Sequence, residues 1–303
     1  MKTSMGKSDF LTRTLSGILI AAVMVGAVWW SVYSLLLLVT IITAVSLVEF
    51  YRLTLPGTEG TEDGAGKKTE SGIRVWGYPV LVSVVLLWLV FETTWGDLGA
   101  KWLLVLIPLI FLFFIAELYR KNERPFVRIG LYVLGIVYIT LPMALLSTLG
   151  IERETLPAAG GGAVSVVTSV TYNPLYVLGY VVLIWVNDVG AYLVGMTFGK
   201  RKLFERLSPK KSWEGFWGGF GLTVLVSGLM GRYLGENIWI WLLLGVVLSL
   251  SAVAGDLVES MLKRCAGVKD SGNLIPGHGG FLDRFDAMFV SVPFVYVLIK
   301  VIA

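Results

Sequence analysis

Long apolar runs follow one another along the chain, and short polar segments separate them. A helix needs about 20 apolar residues to cross the roughly 30 Å of hydrocarbon in a bilayer. Backbone groups at that depth must find their hydrogen bonds within the segment, so each run predicts a membrane helix. The predicted spans are Leu15–Trp30, Val32–Phe50, Val75–Phe91, Trp102–Leu118, Ile129–Leu149, Pro174–Phe198, Phe216–Tyr233, Ile238–Leu262 and Ala287–Val301.

The first two predicted spans share one stretch without a charged residue. Trp29, Trp30 and Tyr33 lie in its middle. Trp and Tyr favour the membrane–water interface, so this stretch predicts a helical hairpin that turns there. We read the first apolar run as an uncleaved span, because the stretch continues far beyond the length of a signal peptide. The runs do not alternate apolar with polar residues, which disfavours a β-barrel.

Composition supports a membrane protein. Of 303 residues 56% are hydrophobic, the mean hydropathy is +0.78, and only 25 Lys and Arg and 21 Asp and Glu are present. This excludes a soluble two-domain enzyme, which needs a charged surface. The single cysteine, Cys265, excludes a disulfide scaffold. The predicted fold class is all-α, a polytopic helical bundle of about nine membrane helices in contact with the lipid bilayer, and we expect no nucleic-acid partner.

The placement of basic residues predicts the orientation of this bundle. With nine spans, all Lys and Arg residues except Lys101, Arg153, Arg232 and Lys300 lie on one side. By the positive-inside rule this side, with the N-terminus, is cytoplasmic. We therefore expect a protein of the cell inner membrane whose active site faces the cytoplasm.

The spans divide into two predicted regions. Residues 1–173 would carry about five spans and a mobile loop, 56–72, which is rich in Gly, Thr and charge. Residues 174–303 would carry about four spans and two cytoplasmic loops, 199–215 and 263–286. The second region holds most of the candidate chemistry.

Asp188 is the only charged residue in the run 174–199. An ionised carboxylate within a membrane is costly, so we expect it to face a wet cavity, a metal or a basic partner. The alternative is an aspartate paired only for structure. Ala191, Gly195 and Gly199 recur every four positions and would let another helix approach closely.

The segment 200–219 contains six basic residues just before a predicted helix. Lys200, Arg201 and Lys202 suit an ordinary cytoplasmic loop that contacts anionic lipid headgroups. The sequence SPKKSWEG is different, because Lys210, Lys211 and its two serines adjoin a helix N-terminus. Backbone N–H groups and ammonium groups at such a site can bind one phosphate together.

Residues 255–286 are the densest polar segment. Helical spacing places Asp256, Glu259 or Ser260, and Lys263 on one face. Asp283 and Asp286 are three apart, so they would project together if a helix has begun there. Asp256 with Asp283 would suit Mg²⁺, which takes one or two carboxylates plus substrate phosphates, better than zinc.

His278, the only histidine, lies among glycines and charges and has no core to pack into. Its setting favours a functional role over a structural one.

The segment that contains His278 resembles the full signature of the phosphatidate cytidylyltransferases, the CDP-diacylglycerol synthases. The matching residues are Ser260, Leu262, Lys263, Arg264, Lys269, Asp270, Gly272, Ile275, Pro276, His278, Gly279, Gly280, Phe281, Asp283, Arg284, Phe285 and Asp286. SPKKSWEG and WVNDVGAY also resemble the cytosolic loop and the acidic membrane helix of this family. The resemblance extends from about Trp185 to the C-terminus.

The resemblance implies the reaction CTP + phosphatidate → CDP-diacylglycerol + diphosphate, which feeds phospholipid synthesis. It implies that Asp256 and Asp283 bind Mg²⁺, with a second cation in a binuclear centre left open, and it suggests a homodimer. The implied phosphate-neutralising residues are Lys263, Arg264, Lys269 and Arg284. The implied substrate-binding residues are Lys210, Lys211, Ser212, Asn187, Asp188 and His278, and Asp286 would support the ligands or be a further one.

Three other functions share parts of this pattern. A CTP-dependent polyprenol kinase would use similar helices but release CDP. An ion-coupled transporter would also place Asp188 in the membrane, yet it gives no reason to cluster lysines on one face. A CDP-alcohol phosphotransferase is disfavoured because its aspartate-rich motif is absent.

Overall fold

The computed structural model describes residues 7–55, 72–120, 124–157, 165–272 and 279–302. Ten α-helices make up most of this part of the chain. They are α1 Lys7–Trp30, α2 Val32–Thr54, α3 Gly72–Trp95, α4 Leu106–Leu118, α5 Pro125–Gly135, α6 Leu141–Thr148, α7 Pro174–Phe198, α8 Trp213–Leu234, α9 Ile238–Cys265 and α10 Leu282–Val297. A 3₁₀ helix, Ala100–Val105, precedes α4, and π-helical turns Ile136–Thr140 and Leu298–Ile302 follow α5 and α10.

All nine predicted spans are helical. Six helical segments of the described chain are long and apolar enough to cross a membrane, which makes this a helical membrane protein. These six are Val32–Thr54, Val75–Trp95, Ala100–Leu118, Pro125–Thr148, Pro174–Phe198 and Ile238–Cys265. The count of nine spans, the orientation of the N-terminus and the two-region division stay predictions.

The predicted turn between the first two helices is confirmed. Ser31 separates α1 from α2, and its hydroxyl accepts a hydrogen bond from the N–H of Tyr33 at 3.2 Å. This is the usual role of a serine at a helix N-terminus. Trp30 beside it is 87% exposed.

Two antiparallel hairpins connect helices where the sequence predicted only loops. Strands β1, Ile151–Pro157, and β2, Ser165–Tyr172, join α6 to α7. Strands β3, Lys202–Phe204, and β4, Ser208–Ser212, join α7 to α8. The predicted mobile loop 56–72 lies outside the described residues except for Gly72, which begins α3.

Two groups of helices pack around a common core. The first group is α7, α8 and α9, and the second includes α2 and α6. Helix α10 lies between them and packs on α9 from the first group and on α2 and α6 from the second. Fully buried side chains such as Leu36, Leu87 and Phe289 belong to the apolar core between them. The start of α10 therefore contacts both the C-terminal helices and α2, and these contacts position the first turn of α10.

Candidate active site

A cavity of about 390 Å³ opens between α7, the β3–β4 hairpin, α8, α9 and α10. Its wall combines polar side chains with apolar ones such as Tyr192, Met196 and Phe216. The polar lining residues are Asn187, Asp188, Lys210, Lys211, Ser212, Asp256 and Asp286. All seven were predicted as site residues from the sequence, so the structure brings most of the predicted site together.

Close packing of α7 on α8 forms one side of this cavity. A Cβ on Gly215 would lie 2.8 Å from the carbonyl oxygen of Ala191, and one on Gly195 would lie 3.4 Å from the Cα of Gly215. Small residues allow this backbone approach between membrane helices. The predicted close approach at the small residues of α7 is confirmed.

Asn187 on α7 connects three helices at the cavity through hydrogen bonds. Its Oδ1 accepts hydrogen bonds from Ser249 Oγ on α9 at 2.6 Å and from Thr223 Oγ1 on α8 at 3.4 Å. The side chain is only 3% exposed. Buried amide groups need such partners, so Asn187 lines the cavity and also fixes the helices around it.

The β3–β4 hairpin brings two lysines to the cavity. Lys211 Nζ forms an ion pair with Asp256 Oδ2 on α9, and both side chains are partly exposed. Lys210 is more exposed and also lines the cavity. Ser212 ends the strand, and its Oγ accepts a hydrogen bond from Gly215 N at 3.2 Å, which caps α8.

Glu214, in the first turn of α8, anchors the start of the hairpin. Its carboxylate accepts hydrogen bonds from the backbone N–H groups of Lys200 and Arg201 at 3.0 and 3.2 Å. Backbone hydrogen bonds, including its own N–H, hold the pKa of Glu214 below its usual value. This contact fixes the hairpin relative to α8 and therefore the position of its lysines.

Asp256 on α9 and Asp286 on α10 lie where these two helices pack closely against each other. A Cβ on Gly255 would lie only 2.6 Å from the carbonyl oxygen of Asp286. Burial raises the pKa of Asp286, and the neighbouring negative charge of Asp256 raises it further. Asp188 lines the same cavity as Lys211, Asp256 and Asp286.

Asp283 belongs to a second cluster beside the cavity and is not among the lining residues. Its Oδ1 accepts a hydrogen bond from Lys263 Nζ at 2.7 Å, and Lys263 also forms an ion pair with Glu259 at 2.5 Å. Burial acts to raise the pKa of Asp283, but hydrogen bonds to Glu259, to Lys263 and to two backbone N–H groups lower it below its usual value. Both carboxylate oxygens of Asp283 therefore accept hydrogen bonds from groups of the protein itself.

Glu49 on α2 is a residue of this second cluster that sequence reasoning missed. Its carboxylate accepts hydrogen bonds from Ser271 Oγ, Phe281 N and Leu282 N at 3.1, 3.0 and 2.8 Å. The rule that flags acids within membrane spans applies to it as it does to Asp188. It lies one residue before the end of the predicted span Val32–Phe50.

The remaining predicted residues lie outside the cavity or outside the described chain. Arg264, Lys269 and Arg284 are exposed, and Arg264 donates a hydrogen bond to the carbonyl oxygen of Val268 at 3.3 Å. His278 lies outside the described residues. The roles predicted for these four residues stay predictions.

The donor set at the cavity fits a hard divalent cation, because Asp256 and Asp286 present carboxylate oxygens there. Within the described ranges, no three His, Cys, Asp or Glu side chains are grouped to hold one metal ion. In proteins Mg²⁺ is usually bound through one or two carboxylates together with substrate phosphates. The predicted pair Asp256 and Asp283 stays a prediction, and of these two only Asp256 lines the cavity.

Comparison with known proteins identifies relatives. A model of the cytidylyltransferase family matches residues 11–302. Phosphatidate cytidylyltransferases of Staphylococcus epidermidis and Staphylococcus aureus are each 46% identical over 126 residues, which is 41% of this chain and 48% of the relative. The one from Staphylococcus saprophyticus is 44% identical over the same length. In these alignments the chain spans about half the length of the curated relatives it matches.

Proposed function

Since this chain belongs to the cytidylyltransferase family, we propose that it catalyses CTP + phosphatidate → CDP-diacylglycerol + diphosphate. The observation that carries the proposal is the cavity in which Lys210, Lys211 and Asp256 face apolar side chains of membrane helices. One substrate is a soluble polyphosphate and the other a phosphate on a lipid. A site for both needs cationic groups next to an apolar surface.

The two kinds of lining suit the two substrates. Lys210 and Lys211 would bind the triphosphate of CTP, because ammonium groups bind phosphates well. Tyr192, Met196 and Phe216 offer an apolar surface on α7 and α8, where the glyceride part of phosphatidate would lie. Phosphatidate would reach this surface sideways from the bilayer, between helices.

In the proposed reaction a phosphate oxygen of phosphatidate attacks the α-phosphorus of CTP. A new P–O bond forms as the bond between the α-phosphorus and its bridging oxygen breaks, and diphosphate leaves. No side chain becomes a nucleophile, so the protein contributes positioning and charge. Lys211 would neutralise negative charge on the triphosphate. Substrate phosphates on the side of the second cluster would be neutralised by four other basic residues, Lys263, Arg264, Lys269 and Arg284.

Mg²⁺ is the cation we propose for this site. Asp256 is the first proposed ligand because it lines the cavity. The sequence favours Asp283 as the second ligand, whereas the cavity also offers Asp286, and a second cation remains part of the proposal. A bound divalent cation would neutralise the charge that develops on the phosphoryl oxygens.

We also propose that the site faces the cytoplasm in an inner membrane, with nine spans and a cytoplasmic N-terminus. The support is the one-sided distribution of Lys and Arg, because basic residues are retained on the cytoplasmic side. A homodimer is a proposal that rests on the family resemblance alone.

One experiment tests the reaction. Purified protein is incubated with CTP labelled in the cytidine, with phosphatidate and with Mg²⁺, and lipid-soluble label and free diphosphate are measured. We expect both products in equal amounts. Release of CDP with phosphorylation of a lipid alcohol would show a kinase instead, and ion uptake into proteoliposomes without CTP turnover would show a transporter.

A further inference from the structure

A buried carboxylate on α2 contacts the segment that carries Asp283. Glu49 is only 2% exposed, and it accepts hydrogen bonds from the backbone N–H groups of Phe281 and Leu282. Leu282 is the first residue of α10. The first N–H groups of a helix have no partner within the helix and favour a negative charge, so Glu49 satisfies the start of α10 from another helix.

Ser271 is held by two carboxylates at once. Its hydroxyl donates to Glu49 at 3.1 Å, and its backbone N–H donates to Asp283 Oδ2 at 3.0 Å. The same Oδ2 accepts the N–H of Gly280 at 3.0 Å. Glu49 and Asp283 therefore each join residue 271 to the segment 280–282.

Two glycines make room for Glu49. A Cβ on Gly272 would lie 2.7 Å from Glu49 Oε1, and a Cβ on Gly280 would lie 2.7 Å from Glu49 Oε2. Real Cβ atoms do not approach other atoms so closely. The backbone at both positions therefore packs directly on the carboxylate, which leaves Glu49 little freedom to move.

We propose that Glu49 is a positioning residue for the reaction proposed above. It does not line the cavity, so it acts through the hydroxyl of Ser271 and the backbone at residues 280–282. Holding this backbone fixes the Asp283–Lys263 pair and, one turn further along α10, the direction of Asp286 into the cavity. The effect on turnover rests on the proposed function, whereas the effect on the backbone does not.

The test uses Glu49→Gln and Glu49→Ala in the full chain, with Ser46→Ala as the matched control. The glutamine amide has one acceptor oxygen in place of two. Its NH2 group would face backbone N–H donors and cannot accept their hydrogen bonds. Ser46 lies one turn earlier on α2, is fully buried, and its hydroxyl has no partner among the described residues. It reports the cost of changing a buried polar group on this helix.

Two readouts are measured in detergent. The first is kcat and KM for CTP, and the second is hydrogen exchange of peptides that contain Phe281 and Leu282. For Glu49→Gln we expect kcat to fall about ten-fold or more. KM for CTP should change less, because Lys210 and Lys211 lie on β4 and do not contact Glu49. Exchange at residues 281–282 should accelerate, whereas Ser46→Ala should leave both readouts near wild type.

The outcomes separate this inference from the proposed function. Wild-type kcat in Glu49→Gln, or lowered kcat with unchanged exchange, would overturn positioning by Glu49. An equal loss in Ser46→Ala would also overturn it. If the wild-type protein forms no CDP-lipid, the proposed function fails, and unchanged exchange in both Glu49 variants would then reject the backbone contact as well. If Glu49→Ala does not fold, Ser271→Ala removes one of the three donors and should show a smaller change in both readouts.

Discussion

Lys211 on β4 contacts Asp256 on α9 through an ion pair at the edge of the cavity. The pair joins the basic hairpin to the acidic face of α9, which are separated by the whole of α8 in the sequence. Because both side chains are partly exposed, solvent screening keeps their mutual attraction modest. Either side chain can therefore exchange its partner for a phosphate or a cation at low cost.

The first prediction concerns Asp256. Asp256→Asn removes a proposed cation ligand, and we expect formation of CDP-diacylglycerol to fall on the order of a hundredfold or more. The measurement is the labelled-CTP assay on purified variant, with the elution profile in detergent as the control for folding. Activity near wild type would reject Asp256 as a ligand.

The second prediction separates Asp283 from Asp286. Replacing a ligand with asparagine weakens cation binding, so the variant should need more Mg²⁺ for half-maximal activity. Asp286 lines the cavity and Asp283 does not. We therefore expect this shift in Asp286→Asn, and a loss of kcat without such a shift in Asp283→Asn. The reverse pattern in an Mg²⁺ titration would support the ligand pair predicted from the sequence.

The third prediction concerns the lysines of the hairpin. Lys210→Ala and Lys211→Ala each remove a charge from the cavity, and we expect KM for CTP to rise about ten-fold, as for the loss of one charged hydrogen bond. Lys202→Ala is the matched control, because Lys202 is exposed on the same hairpin and does not line the cavity. An equal rise in Lys202→Ala would indicate a general charge effect.

The fourth prediction concerns Asn187. Asn187→Ala leaves the hydroxyl of Ser249 without its acceptor in a buried site, which should cost about 1–3 kcal/mol of stability. We expect a lower midpoint of thermal unfolding in detergent. An unchanged midpoint together with a raised KM for CTP would instead make Asn187 mainly a substrate contact.

The fifth prediction concerns Gly280. Gly280→Ala places a methyl group against Ser271 Oγ and Glu49 Oε2, and overpacking of this kind costs about 1–3 kcal/mol. We expect lower kcat and a lower unfolding midpoint. Gly221→Ala is the control, because a Cβ on Gly221 meets nothing within 4 Å. Equal behaviour of the two variants would argue against tight packing at Gly280.

The helices and the polar side of the cavity were predictable from local sequence. Each apolar run is helical because backbone groups in a membrane must pair within the segment. The close contact of α7 with α8 follows from small residues at a four-residue spacing. Asp188 and Asp256 stand out because a charge within an apolar run is costly and therefore informative.

The β3–β4 hairpin and the division of the acidic residues were not predictable in this way. Strand β3 is only three residues long, and β4, SPKKS, has no alternation of apolar and polar residues. Asp283 and Asp286 lie on one helix, but Lys263 and two backbone donors hold Asp283 away from the cavity. Which of these two aspartates lines the cavity depends on contacts between distant segments of the chain. The spacing of residues within one segment does not predict those contacts.

The hydrogen bonds between Glu49 and the start of α10 join residues 232 and 233 positions apart. Ribosomes make the N-terminal helices first, so α2 is inserted long before its donors are synthesised. Until then an acid near the end of a membrane helix has no partner from α10 and is costly to keep there. Docking of α10 relieves that cost, which makes it a favourable step in the assembly of the protein.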